Sequence, residues 1–224
     1  IPGFIDEYLP YLREKGVPAI VNIWGTTVEA YAEAAAMLDG VAGVEALELN
    51  VSCPNVKRGG ASFGTNPDLM ASVVAAVRAA TSLTLITKLA PNVPDIRVFA
   101  KAAADAGSDA LSVCNTLPAM AIDIEARRPV LANVTGGLSG PAIHPVAVKL
   151  VWEASAAVDI PIIGMGGIAE PEDAIELLAA GATAVAVGTA NFIDPTTTLR
   201  VLAGIYEYMH RHGMARVADI AIPH

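Results

Sequence analysis

A short pattern that occurs three times along the chain most narrows the folds that this sequence can adopt. It consists of a glycine, two variable residues, Ala, an aliphatic residue, a variable residue and a second aliphatic residue, and its copies begin at Gly43, Gly107 and Gly181. Each copy is typical of a helix end followed by a strand. The next residue is polar or glycine in every copy: Asn50, Cys114 and Gly188. Repeated βα units of this kind predict parallel strands whose carboxyl ends form a site.

Six β-rich runs alternate with helical stretches, which predicts an α/β fold with a parallel sheet. The predicted strands are residues 18–24, 44–52, 84–89, 110–116, 160–164 and 184–187. The predicted helices are residues 4–15, interrupted or kinked at Pro10, 26–38, 67–80 with Asn66 as N-cap and Pro67 as first helical residue, 94–106, 144–157, 171–180 and 195–212. Residues 117–140 interrupt the alternation, and their β-rich pieces at 121–124 and 130–134 predict a small inserted β-hairpin beside the barrel mouth.

Two glycine-rich turns follow the last two predicted strands, at residues 164–167 and 188–190. In (β/α)8 TIM barrels, phosphate sites lie after strands seven and eight. We therefore expect the six strands to be the third to the eighth of an incomplete TIM barrel that lacks its first two strands. The chain also begins at Ile1 without an initiator Met. The expectation is one N-terminally truncated domain over residues 1–224.

Composition excludes several classes of partner. The chain has 224 residues, is 54% hydrophobic and carries a net charge of −9, which argues against nucleic acid and anionic membrane surfaces. No apolar run approaches the roughly 20 residues of a membrane span, and the start of the chain lacks signal-peptide character. Two cysteines without metal-site spacing predict no metal and a reducing, cytoplasmic setting.

The glycine turns and one lysine predict an anion site. Glycine lets the backbone N–H groups approach an anion closely, so Gly166, Gly167, Gly188 and Thr189 form a candidate phosphate cradle. The alternative is that these glycines only end strands and allow tight packing. Lys88 ends an apolar strand and could face a phosphate, an enolate, a Schiff base or an anionic reduced cofactor. It could also be an ordinary surface lysine.

The strand end at residues 47–55 has the most concentrated set of polar groups. Asn50, Cys53 and Asn55 lie there, and Asn115 and Asn22 lie at two other strand ends. Cys53 is a candidate base or nucleophile, the alternative being a small buried apolar residue. Carboxamides suit a planar ligand with alternating N–H and C=O groups, although asparagine also favours turns. The four histidines are scattered, and the sequence assigns them no role.

Six motifs in order resemble those of class 1 dihydroorotate dehydrogenases, and of the class 1B catalytic subunit most closely. They are L-N-V-S-C-P-N (49–55), K-L-A-P-N (88–92), C-N-T (114–116), R-R-P-V-L-A-N-V-T-G-G-L-S-G-P-A-I (127–143), G-M-G-G-I (164–168) and V-G-T-A-N-F (187–192). The resemblance extends to about residue 220. It implies an FMN-binding TIM barrel that oxidises (S)-dihydroorotate to orotate in pyrimidine biosynthesis.

The resemblance also implies roles for individual residues. Cys53 would be the catalytic base that removes the C5 proton, while hydride passes from C6 to FMN. The substrate would be bound by Asn50, Asn55, Asn115 and Thr116. The FMN-binding positions would be Asn22, Asn50, Lys88, Cys114 through its backbone, Gly140, Gly166, Gly167, Gly188 and Thr189. Lys88 would stabilise anionic reduced flavin.

Alternatives remain open for the substrate and for the electron acceptor. A dihydropyrimidine dehydrogenase-like flavin reductase would use a similar asparagine-rich site, and a catalytically incompetent barrel fragment is the third possibility. A class 1B enzyme would form a heterotetramer with a subunit that carries FAD and a [2Fe–2S] cluster and uses NAD. A class 1A enzyme would be a homodimer that passes electrons to fumarate.

Overall fold

The computed structural model describes residues 1–51 and 63–224 of the chain. The predicted site residues Cys53 and Asn55 therefore lie outside the described residues. The chain folds into two compact units. Unit 1 comprises Ile1–Ser112 and Ala157–Pro161, and unit 2 comprises Val113–Ala156 and Ile162–His224. The expectation of a single domain stays a prediction.

Unit 1 contains most of the regular βα alternation. Its helices are α1 (Leu9–Glu14), α2 (Val28–Leu38), α3 (Pro67–Ala80) and α4 (Ile96–Asp105). Its strands are β1 (Ala19–Ile23), β2 (Val44–Asn50), β3 (Thr84–Lys88) and β4 (Ala110–Val113), of which the last residue belongs to unit 2. A π-helical turn (Phe4–Tyr8) precedes α1, and a short 3₁₀ turn (Phe63–Thr65) precedes α3.

Unit 2 contains two further parallel strands and the inserted segment. The inserted strands are β5 (Leu117–Ala119), β6 (Ile122–Asp123), β7 (Arg128–Pro129) and β8 (Gly136–Leu138). The helices and parallel strands are α5 (His144–Ser155), β9 (Ile162–Met165), α6 (Pro171–Ala179), β10 (Ala184–Ala186), α7 (Ala190–Ile193) and α8 (Thr197–His212). Short 3₁₀ turns lie at Pro141–Ile143 and Val217–Ile220.

The parallel strands follow one another in chain order, β1-β2-β3-β4-β9-β10. Helices connect successive strands, as in the singly wound βα repeat of a barrel. This arrangement confirms the predicted fold class, an incomplete (β/α) barrel with six parallel strands. The glycine of each sequence repeat has the expected positive φ: 93° at Gly43, 106° at Gly107 and 103° at Gly181. Gly107 and Gly181 directly follow the C-caps of α4 and α6 and end those helices, whereas Gly43 lies beyond the end of α2 and directly precedes β2.

One local prediction agrees with the structure and another is wrong in detail. The predicted interruption of the first helical stretch lies next to Pro10, because the π-helical turn ends at Tyr8 and α1 begins at Leu9. The inserted segment forms two antiparallel pairs, β5 with β8 and β6 with β7, and not one hairpin with a strand at 130–134. The return strand begins earlier because Asp123 Oδ1 accepts hydrogen bonds from the backbone N–H groups of Glu125 and Ala126, which closes a tight turn.

Alternation along β2 separates an apolar face from a polar one. Leu47 and Leu49 are fully buried, whereas Glu48 and Asn50 on the opposite face are only half-buried. Side chains of successive strand residues point to opposite faces, so this pattern leaves one face for packing and one for polar groups. Among the described residues, no helix combines the length and apolar character that crossing a membrane would require.

Asn66 provides a test of how α3 begins. Its Oδ1 accepts hydrogen bonds from the backbone N–H groups of Asp68 and Leu69, at 3.0 and 3.1 Å, and Pro67 follows it, as the sequence predicts. Asn66→Ala removes this acceptor and is expected to lower the free energy of unfolding by about 1 kcal/mol. Urea unfolding followed by circular dichroism measures the change. Asn66→Asp keeps an acceptor and is the control, and equal losses in both variants would contradict the capping role.

Candidate functional site

Strand register places the predicted polar residues of unit 1 on one face. Asn22 of β1 pairs with Glu48 of β2, and Asn50 of β2 pairs with Lys88 of β3. Lys88 in turn pairs with Ser112 of β4. Residues paired across a parallel sheet project to the same face, so these five side chains share one surface toward the carboxyl ends of the strands.

Glu48 lies at the centre of this group, which we call the Glu48 cluster: Asn22, Glu48, Lys88 and Ser112. Its Oε1 accepts a hydrogen bond from Ser112 Oγ at 2.6 Å, and its Oε2 accepts one from Asn22 Nδ2. Lys88 Nζ lies 3.8 Å from the same Oε2, and the Glu48 and Lys88 side chains are 13% and 21% exposed. Partial burial limits solvent screening of this ion pair. The cluster therefore joins a fixed ammonium, a carboxylate and an oriented amide.

Tyr31 anchors the end of β2 through a hydrogen bond to its last residue. Its hydroxyl donates a hydrogen bond to the main-chain carbonyl of Asn50 at 2.8 Å, and its side chain is buried. Its ring also meets Phe63 edge to face, with ring centroids 5.9 Å apart. Tyr31 thus holds Asn50 at the point where the chain leaves the sheet. The sequence did not single out Tyr31.

In unit 2, the turn after β9 is packed tightly against the start of α5. Gly167 has φ of +74°, and a Cβ placed there would lie 2.6 Å from His144 Cβ and 2.9 Å from the carbonyl oxygen of Gly140. The structure therefore brings the predicted residues Gly140 and Gly167 together. Gly166, with φ of +130°, has equally little room, because its Cβ would lie 2.8 Å from that of Ala147.

His144 holds the carbonyl of this turn, a role that the sequence did not assign to any histidine. The ring is buried, its Nδ1 lies 2.9 Å from the carbonyl oxygen of Gly166, and its Nε2 lies 3.0 Å from Glu176 Oε2. Both neighbours are acceptors, so a neutral ring can donate to only one of them. His144 thus ties the glycine turn to α6.

The turn after β10 is open where the turn after β9 is closed. Gly188 and Thr189 are exposed, and a Cβ at Gly188 would meet no atom within 4 Å. Asn191 Nδ2 donates to the Val187 carbonyl at 2.8 Å, and Thr198 Oγ1 donates to Asn191 Oδ1 at 2.9 Å. These bonds fix the turn from the side of α7 and α8. A ligand can therefore approach the backbone at Gly188 without displacing a side chain.

The remaining predicted residues follow β4. The Val113–Cys114 peptide bond is cis. Cys114 is buried, and its backbone N–H donates to the Met165 carbonyl at 3.0 Å. Asn115 is half-buried and its Oδ1 accepts from the backbone N–H of Thr116 at 2.8 Å. Thr116 lies against Gly137, where an added Cβ would clash with its Oγ1.

Over residues 1–51 and 63–224, no group of three or more histidine, cysteine, aspartate or glutamate side chains could hold a metal ion. The polar residues described near the strand ends are amides, hydroxyls, one lysine and one glutamate. This set offers hydrogen-bond donors and acceptors and one ammonium that is paired with a carboxylate. It suits a planar polar ligand.

Parallel strands in chain order, with polar side chains on one face and glycine turns after the last two strands, define a (β/α)-barrel protein. A family model described as dihydroorotate dehydrogenase matches residues 4–209. The chain belongs to the dihydroorotate dehydrogenase family, whose members are oxidoreductases.

Individual relatives agree with this assignment. The proteins named dihydroorotate dehydrogenase B (NAD(+)), catalytic subunit, from Geobacter sp. (strain M21) and Pelobacter propionicus are each 54% identical over 220 residues, which is 98% of this chain and 72% of theirs. A ligand-free type DHODH from Eimeria tenella has a similar structure, with a TM-score of 0.72 and 25% identity. The match covers 87% of this chain and 59% of that one. The predicted resemblance to class 1B catalytic subunits is confirmed.

The sequence did not indicate Glu48, Ser112 or His144 as site residues. A signal for Glu48 was present, because it alternates with Leu47 and Leu49 and shares a face with Asn50. Ser112 occupies the corresponding position in the second copy of the repeat, and Ala186 occupies it in the third. Comparing the copies position by position would have identified two of the three. His144 has no comparable signal, because both of its partners are distant in sequence.

The two glycine turns give opposite expectations for the same substitution. Gly167→Ala requires a positive φ at a non-glycine residue and forces Cβ against backbone atoms, so we expect a loss of at least about 2 kcal/mol in unfolding free energy. Gly188→Ala meets no atom within 4 Å and serves as the matched control, expected to unfold like the wild type. Urea titration of both variants measures the difference. Equal stability of the two variants would contradict the described packing.

Proposed function

We propose that this protein oxidises (S)-dihydroorotate to orotate with FMN, as the catalytic subunit of a dihydroorotate dehydrogenase in pyrimidine biosynthesis. The observation that carries the proposal is the strand-end set Asn22, Asn50 and Lys88. These residues share one face of parallel strands in a chain that belongs to this family. The names of the relatives supply the substrate.

The donor set fits FMN, which combines a phosphate with a planar ring bearing C=O and N–H groups. Lys88, Asn22 and Asn50 have the charge and amides suited to the ring, and Cys114 would contribute backbone contacts. The phosphate is assigned to the backbone of Gly140, Gly166, Gly167, Gly188 and Thr189. Open space beside Gly140 and Gly188, where a Cβ would meet no atom within 4 Å, supports a close approach there. FMN would supply the hydride acceptor for the reaction.

The proposed chemistry of the protein itself is proton removal and orientation. Cys53, as its thiolate, would take the proton from C5 of dihydroorotate, and loss of hydride from C6 then completes the double bond of orotate. Asn50, Asn55, Asn115 and Thr116 would bind the ring and carboxylate of the substrate, so that the reacting C–H bonds are correctly aligned. The support for Cys53 and Asn55 comes from the sequence motif, since both lie outside the described residues.

We further propose a partner subunit. The relatives are named B (NAD(+)) catalytic subunits, which supports a second, electron-transfer subunit in a heterotetramer. The FAD and the [2Fe–2S] cluster of that subunit are proposed from the resemblance to class 1B enzymes. That subunit would pass electrons to NAD. The other arrangement is a homodimer that uses fumarate. Reduction of NAD by dihydroorotate only after addition of such a subunit would distinguish the two.

Substrate choice is tested by flavin reduction. The purified protein, loaded with FMN and kept free of oxygen, is mixed with dihydroorotate or with dihydrouracil. We expect dihydroorotate to bleach the visible flavin absorbance and dihydrouracil to leave it unchanged, because only the former has a carboxylate. Bleaching by dihydrouracil alone would favour a dihydropyrimidine dehydrogenase-like reductase. A protein that is colourless once unbound FMN has been removed would favour a catalytically incompetent fragment.

Removal of the base should separate cofactor binding from chemistry. Cys53→Ala is expected to keep FMN bound and to slow flavin reduction by dihydroorotate by about 10² to 10⁴, the usual contribution of a positioned base. The wild-type rate should rise with pH as the thiol ionises, since a free thiol has a pKa of about 8.5. The variant should lose this pH dependence. Ser52→Ala, one residue away, is the control, and stopped-flow absorbance is the measurement. An unchanged rate in Cys53→Ala would refute the base role.

A further inference from the structure

We infer that Glu48 is a positioning residue for the flavin site: it orients Asn22, holds Lys88 and offsets part of the positive charge of Lys88. The inference rests on the proposed function only in naming flavin as the ligand. Neither the motifs nor the family assignment gave Glu48 a role. The role is inferred from the contacts of its two carboxylate oxygens.

Glu48 occupies a position where a carboxylate is costly unless it has partners. Its side chain is only 13% exposed. A largely desolvated carboxylate requires donors for both oxygens. Ser112 Oγ supplies one at 2.6 Å, and Asn22 Nδ2 supplies the other. These partners come from β4 and β1, so Glu48 connects three strands.

The carboxylate determines which end of the Asn22 amide faces a ligand. An ionised carboxylate only accepts hydrogen bonds, so it must face the amide nitrogen of Asn22 and not its oxygen. One N–H of the amide nitrogen is committed to Glu48 Oε2, which leaves the second N–H as a donor and the amide oxygen as an acceptor. The orientation of the amide oxygen, which can accept from an N–H group of a ligand, is thereby fixed. A neutral glutamine at position 48 could face either end of the amide, and this selection would be lost.

The same oxygen restrains Lys88. Lys88 Nζ lies 3.8 Å from Glu48 Oε2, and its side chain is 21% exposed. An opposite charge at this distance, poorly screened by solvent, restricts the ammonium and reduces the positive potential that it presents. A ligand that gains negative charge beside Lys88 therefore competes with Glu48 for the same ammonium. Glu48 should make the site less favourable for negative charge than Lys88 alone would.

The first test needs no flavin. Lys88 acetylation by acetic anhydride is followed by mass spectrometry in FMN-free protein. Glu48→Gln should make Lys88 react faster, because the substitution removes the carboxylate charge that holds the Lys88 ammonium. Glu45→Gln is the matched control, since it removes the same charge from an exposed position of the same strand. An unchanged Lys88 rate in Glu48→Gln would overturn the inference.

The second test uses the FMN-loaded protein and the affinity for sulfite, which adds to flavin and leaves a negative charge on it. Glu48→Gln should bind sulfite about tenfold more tightly, equivalent to about 1.4 kcal/mol, and should raise the flavin reduction potential. Glu45→Gln should leave both unchanged. A merely structural role predicts looser binding and no rise in potential. Unchanged or weaker sulfite binding in Glu48→Gln would refute the charge-offsetting role.

A double variant tests whether Glu48 affects sulfite affinity through Lys88. In a Lys88→Met background, the effect of Glu48→Gln on sulfite affinity should largely disappear, whereas a full effect would refute coupling through Lys88. If Glu48→Gln folds poorly, Glu48→Asp replaces it: its shorter side chain holds the carboxylate farther from Lys88, so it should bind sulfite more tightly than the wild type, and an unchanged affinity would refute the charge-offsetting role. Failure of the wild type to bind FMN would reject the proposed function. The acetylation result would then still decide whether Glu48 holds Lys88.

Discussion

The register of four adjacent parallel strands is the constraint on which the polar face of unit 1 depends. Backbone hydrogen bonds pair Asn22 with Glu48, Asn50 with Lys88, and Lys88 with Ser112. A slip by one residue in any strand would move its side chains to the opposite face, among Leu47 and Leu49. Because those leucines are fully buried, apolar packing enforces the register, and the register assembles the polar face. The chemistry of this face thus depends on the packing behind it.

Rigid placement of this kind explains how a charged cluster can persist at a strand end. A lone carboxylate that is only 13% exposed would be disfavoured, but Glu48 receives hydrogen bonds from Ser112 and Asn22 and lies near Lys88. All four residues are on strands, whose backbones are fixed by their neighbours. The cluster therefore loses little conformational entropy when a ligand binds, and that preorganisation is what a site for a planar cofactor requires.

The alternation of six β-rich runs with helical stretches, supported by the threefold repeat, predicted six parallel strands. It worked because helix ends and strand alternation are local properties, such as the positive φ of Gly43, Gly107 and Gly181. The sequence predicted antiparallel strands in the inserted segment but not their pairing. The turn at Asp123 reverses the chain, so the strand that pairs with β6 begins before the β-rich residues 130–134. Glu48 was missed for a different reason. Its partners lie 26 and 64 residues away, and only strand order brings them together.

His144 in unit 2 was missed for the same reason as Glu48. It bonds to Gly166, 22 residues away, and to Glu176, 32 residues away, so no local pattern distinguishes it from a surface histidine. The predicted ligand positions Asn22, Lys88 and Gly166 are recognisable in the sequence because their residue types suit a ligand. The residues that hold them, Glu48 and His144, are recognisable only from contacts. In both units, a residue to which the motifs assign no role sets the orientation of a predicted ligand position, so the motifs alone underestimate how much of the chain determines the site.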